Sequence, residues 1–130
     1  MATTKVATAP IDMKLEVVAL GVSDVDRAKA FYENLGWRLD IDVAAGDFRG
    51  VQMTPHNSEA SIIFSKGGTS VQPGSAHDLV LAVDDIDAAR DDLFARGVAV
   101  SEVFHYAGGP FNNSVENPRV ERNGGDPFRR

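Results

Sequence analysis

The chain repeats itself, and that repeat limits what it can fold into. When "LGVSDVDRAKAFYENLGWRL" (20–39) is laid over "LAVDDIDAARDDLFARGVAV" (81–100), the two align without gaps at an offset of 61 residues. Leu20 falls on Leu81, Val22 on Val83, Asp24 on Asp85, Asp26 on Asp87, Ala28 on Ala89 and Gly36 on Gly97. The matches coincide with structural signals. In each copy an alternating apolar stretch (Val18, Leu20, Val22; Leu79, Leu81, Val83) predicts a strand with one buried face. Ser23 or Asp24, and Asp84 or Asp85, follow as helix caps whose side-chain oxygens accept the unpaired N–H groups of a first turn. The helices run to Leu35 and Arg96, where Gly36 and Gly97 supply the left-handed residue that ends them.

Strands are predicted over 37–43 and 98–106. Two more are predicted over 47–54 and 60–65, joined by the turn-rich "PHNSE". The first copy therefore reads strand, helix, strand, strand, strand. Ala28, Phe31 and Leu35 lie on one helical stripe and are expected to pack on the sheet.

At 130 residues and 43% hydrophobic content, one domain or two small modules sharing a core is expected. No cysteine is present, which excludes disulfides, thiolate nucleophiles and Cys-based zinc sites. The opening "MATTKVATAPIDMK" lacks the apolar run of a signal peptide, and no apolar stretch reaches the length of a membrane span. A cytoplasmic protein with no membrane partner is expected. A formal net charge of -6 with 13 Lys and Arg lacks the basic face that nucleic acid demands. The expected partner is a small molecule.

The segments "VSDVDRAKAFYENLGW", "SIIFSKG" and "LVLAVDDIDAARDDLFARGV" resemble the vicinal oxygen chelate superfamily, the group of glyoxalases, bleomycin-resistance proteins and extradiol dioxygenases, over residues 13–106. The resemblance implies an α+β fold of two βαβββ modules. The first spans 13–66, and a second, C-terminally incomplete one spans 76–106 of a single glyoxalase-like domain (1–130). It also implies a divalent metal held by His, Gln or Glu from both modules. Three of those positions fall on Val17, Ile63 and Asp78. Val and Ile cannot donate to a metal, and a lone carboxylate holds no catalytic ion, so no metal and no cofactor is expected. His77, the neighbour of Asp78, should point to the opposite face of a strand.

Residues 107–130 read as a loop-like tail by their Gly, Pro and Asn content, without the last two strands that the resemblance implies. Either the sequence is truncated, or exposed edges recruit a partner, giving a homodimer or strand-exchanged oligomer. On the face shared with the ligand positions lie Val17, Ala19 and Gly21, then Asp78, Val80 and Ala82. These are mostly small residues that leave space, as a small-molecule site requires. Gln52, Phe48, Trp37, His105 and Tyr106 are the candidate walls. Two functions follow: a metal-independent small-molecule binding protein, or a metal-dependent lyase or dioxygenase whose site is completed by Asp78, His105 or a partner chain.

Overall fold

The computed structural model describes residues 9–67, 71–76, 79–109 and 118–121. The chain divides into two compact units, Met1–Leu79 and Val80–Arg130.

The first unit contains β1 (Val17–Gly21), α1 (Val25–Asn34), β2 (Arg38–Ala45), β3 (Phe48–Thr54) and β4 (Ser61–Lys66), the order expected from the sequence. Its four strands form one sheet in the order β1-β4-β3-β2, with β1 parallel to β4 and the other pairs antiparallel. The helix is delimited as its sequence dictates. The Asp24 carboxylate accepts the Arg27 N–H at 3.0 Å. At the other end Gly36 takes φ 82, its N–H donates to the Glu33 carbonyl, and the Trp37 N–H reaches back to the Tyr32 carbonyl at 3.2 Å. This pair of bonds satisfies the orphan carbonyls of a last turn.

The core is one cluster: Leu20, Val25, Val51, Met53, Ile62 and Phe64, with Val22, Ala28, Tyr32 and Trp37 packed against it. Tyr32 joins helix to sheet, its ring 5.7 Å from Phe64 and 4.6 Å from Trp37, and burial pushes its hydroxyl pKa up. The inward stripe is thus Val25, Ala28 and Tyr32, at helical spacings of three and four. Phe31, expected to pack on the sheet, stands one residue off that stripe. It is 45% exposed, touching Tyr32 edge-on at 5.1 Å.

Ion pairs tie the rim of the helix to the sheet. Asp42 on β2 accepts from Lys29 at 2.7 Å and from Arg49 at 2.8 Å, and Arg49 also pairs with Asp26 at 2.9 Å. The hydrogen bond from Arg49, then that from Lys29, holds the Asp42 carboxyl below its ordinary range.

The second unit contains α2 (Ile86–Ala95), β5 (Phe104–Tyr106) and β6 (Arg119–Glu121). The helix repeats the first in its caps: the Asp85 carboxylate accepts the Ala88 N–H at 3.0 Å, Gly97 takes φ 80, and the Val98 N–H reaches the Leu93 carbonyl at 3.0 Å. Three expectations change. Leu79–Val83 is not a strand, and Leu79, Leu81 and Val83 are each about half exposed; an alternating pattern makes a strand only where a ladder partner takes its backbone groups. The strand expected over 98–106 is confined to 104–106, and upstream of it Arg90 donates to the Ser101 carbonyl at 3.0 Å and to the Glu102 carboxylate at 3.0 Å. Within the segment expected to be loop, Arg119–Glu121 pairs antiparallel with β5. Arg119 lies over the Phe104 ring at 4.4 Å, a cross-strand contact that composition does not reveal.

Phe64→Ala is expected to lower unfolding free energy by about 3–5 kcal/mol, whereas Phe31→Ala changes it by about 1 kcal/mol or less; urea denaturation of both variants checks the inward stripe. Because the folded pKa of Asp42 is depressed, its contribution is complete above the ordinary carboxylate range and is lost as pH falls through the folded value. Asp42→Asn should therefore be less stable than the parent at neutral pH. The gap should close on acidification, as read from thermal melts across pH.

Candidate functional site

Strand register decides what the two faces of the first unit's sheet carry, because paired residues point the same way and successive ones alternate. Val51 is paired with Phe64, Met53 with Ile62, and Leu20 with Phe64, and these form the face under α1. The opposite face is built in rows across the strands. Ala19, Ile63, Gln52 and Ile41 make one row; Gly21, Ser65, Gly50 and Val43 make the next. Val17 pairs with Ser61, and Arg38 with Thr54; the Thr54 and Ser61 hydroxyls, 2.6 Å apart, join the two pairs into a third row.

Of the sequence-derived candidates, the structure gathers Val17, Ile63, Gln52 and Phe48 on this one open face. Ile63 and Gln52 are direct cross-strand neighbours. The Phe48 ring folds back over Gly50: a Cβ on Gly50 would lie 2.9 Å from the ring and 3.7 Å from Val43. Trp37 is not a wall of this face, since it packs against the core cluster through Tyr32. His105 and Tyr106 belong to the second unit and alternate on β5, so they face opposite ways. Tyr106 lies on the side of Phe104, with the rings edge-on at 5.4 Å, and His105 is paired with Val120. Asp78 and His77 lie outside the described residues.

The small residues of β1 do not all leave space. At Gly21 a Cβ would sit 2.0 Å from the Gln72 carbonyl oxygen, so residues 71 and 72 close that end of the face with backbone. The Gly74 N–H donates to the Gly21 carbonyl at 3.2 Å.

The other end is polar and was not singled out from the sequence. β2 bulges between Leu39 and Ile41, making Asp40 the extra residue beside Gln52. The Thr54 hydroxyl donates to Asp40, so Ser61 donates to Thr54. Arg38 Nε donates to the other carboxylate oxygen at 2.6 Å. These bonds, Thr54 first and Arg38 second, hold the Asp40 carboxyl below its ordinary range. The available signal was the hairpin "TPHNSEAS", whose short connection puts Thr54 and Ser61 opposite one another. The bulge has no signature in "RLDIDV".

The open face therefore runs from an aromatic, apolar end at Phe48, Gly50 and Val43 to a carboxylate end at Asp40, with the Gln52 amide between. It can hold an apolar body and offer hydrogen bonds beside it. Val17 and Ile63 stand at two of the metal-ligand positions implied by the resemblance, and both are hydrocarbons; Asp78, at the third, lies outside the described residues. Among the described residues no group of three His, Asp or Glu side chains is placed to hold one.

A family model, described as the Glyoxalase/Bleomycin resistance protein/Dioxygenase superfamily, matches residues 14–111. Among solved structures, the chain is similar to a glyoxalase/bleomycin resistance protein from Streptomyces sp. CB03234, at 33% identity over 66% of this chain and 76% of that one, with a TM-score of 0.57. It is similar to TnmS3, an antibiotic binding protein from the same Streptomyces, at 32% identity over 70% of this chain and 76% of that one, with a TM-score of 0.60. With UcmS2 (24% identity, 78% of this chain and 86% of that one, TM-score 0.57) it shares the fold. No curated protein matches the chain.

Gly50→Ala is expected to displace the Phe48 ring, a movable side chain, and to cost about 1 kcal/mol or less. The Phe48 ring resonances report the displacement, and a chemical melt reports the cost.

Proposed function

The chain belongs to the glyoxalase/bleomycin resistance protein/dioxygenase superfamily, and from that membership we propose that it is a cytoplasmic small-molecule binding protein. It takes an apolar or amphipathic ligand on the open face of the first unit's sheet, without a metal. The observation that carries this reading is the chemistry of that face. Hydrocarbon side chains, Val17 and Ile63, occupy positions where the resemblance implies metal donors. The same face offers the Phe48 ring, the Gln52 amide and the unencumbered surface of Ala19, the mixture of apolar wall and few polar groups by which small-molecule sites hold and orient a ligand. Similarity to a protein described as antibiotic-binding supports an antibiotic-like compound as the ligand class.

The reading extends to a homodimer or strand-exchanged pair. Ile86, Ala89 and Leu93 on α2 repeat Val25, Ala28 and Tyr32 on α1, yet Ile86 is 51% exposed where Val25 is 6%. A second copy that covers this stripe would complete what the first unit does for itself.

Titration of the full chain with a panel of polycyclic aromatic antibiotics, followed by amide chemical shifts, is expected to move Ala19, Gln52 and Ile63 for at least one compound, with and without EDTA. Ile63→Glu places a charge on the apolar wall and is expected to weaken that binding about tenfold or more. Loss of binding in EDTA, or a stoichiometric divalent ion in native mass spectra, would overturn the metal-free reading and restore the lyase or dioxygenase. The same spectra give the subunit number, and a monomer at working concentration would overturn the dimer.

A further inference from the structure

The carboxylate end of the open face has a feature that packing alone does not explain. Asp40 projects there only because β2 carries an extra residue, a device that re-aims one side chain at the expense of the ladder. Its Oδ2 is fixed from beneath by Thr54, itself held by Ser61, and both hydroxyl residues are buried. Its Oδ1 instead takes Arg38 Nε, from a side chain 71% exposed. One oxygen is thus pinned by the sheet and the other meets a cation that approaches from solvent. Arg38 shows the geometry in which Asp40 receives a charged N–H donor, and its own exposure leaves it free to swing away.

Resting on the binding-face reading above, we infer that Asp40 determines specificity by receiving the cationic amine of an elongated amphipathic ligand whose apolar ring lies over Ile41, Val43 and Phe48, with Arg38 as the internal competitor that the amine displaces. Spacing supports this. From the Gly50 row to the Gln52 row is two residues along a strand, about 7 Å, the separation of a ring from an amine on a two-carbon tether. Charge supports it as well, since a chain of net charge -6 draws cations and repels anions. The contact is a charge-assisted hydrogen bond, the kind that discriminates between heads of similar size.

Three probes with one ring and different heads test it on the full chain: naphthylethylamine, naphthylethanol and naphthylacetate. Binding is followed through the amide shifts of Gln52 and Ile63. The parent is expected to bind the amine about tenfold more tightly than the alcohol, and the acetate least. Asp40→Asn should abolish the preference for amine over alcohol. Arg38→Ala should tighten amine binding, a gain that a purely structural Asp40 would not produce, and this variant leaves the Asp40–Thr54–Ser61 chain in place. If all three probes bind with no head preference, or if the preference survives in Asp40→Asn, the inference fails and the binding face stands. If none of the probes moves Gln52 or Ile63, the binding face itself fails, and the inference with it.

Discussion

The pairing of Val51 with Phe64 across β3 and β4 is the constraint on which the first unit depends. Both side chains are fully buried, and their register sends every second residue of both strands beneath α1. The alternate set, Gln52 with Ile63 and Gly50 with Ser65, is thereby sent to the opposite side. A slip of β3 by one residue against β4 would put Gln52 under Tyr32 in place of Val51. Core and open face are two readings of a single hydrogen-bond ladder, so the chemistry of the face is as fixed as the packing of the core.

Local signals made the helices legible. The pairs Asp24 with Gly36 and Asp85 with Gly97 delimit both of them to within a residue or two, because caps and left-handed glycines act over a few bonds. The strands of the first unit were legible for a related reason: apolar alternation and the turn residues between them are also local. The facing of Phe48 and Gln52 was not, since it depends on which residue of β3 meets which residue of β4. Trp37 could be taken for a wall because it follows a helix stop, but its ring is claimed by Tyr32, five residues back. Asp40 was invisible because its place depends on a bulge, on Thr54 fourteen residues away, and on Ser61 beyond that.

The two copies show how one local code meets two environments. Caps, stop and inward stripe recur at the same offset, so both helices form. Around α1 the strands Phe48–Thr54 and Ser61–Lys66 supply Val51, Met53, Ile62 and Phe64, and Val25 is buried. Among the described residues of the second unit, only the short pair β5 and β6 forms a sheet, and no residue of α2 is buried. Helix formation is decided within a dozen residues, whereas burial is decided by what the remainder of the fold brings to that helix. The repeat therefore fixes the helices more firmly than it fixes their cores.

The Gln72 carbonyl against Gly21 restricts how this fold can diversify. A site that changes its ligand does so by exchanging side chains around it, yet position 21 admits none without moving a neighbouring stretch of backbone, and Gly50 is spanned by the Phe48 ring. Position 21 is thus closed to variation by backbone, and a side chain at position 50 must first displace the Phe48 ring. Variation is left to Ala19, Ile41, Val43 and Ile63, none of which is buried. Descendants of this sequence could acquire new ligands through those four positions while keeping their glycines, so that divergence in recognition would leave the backbone of the sheet unchanged.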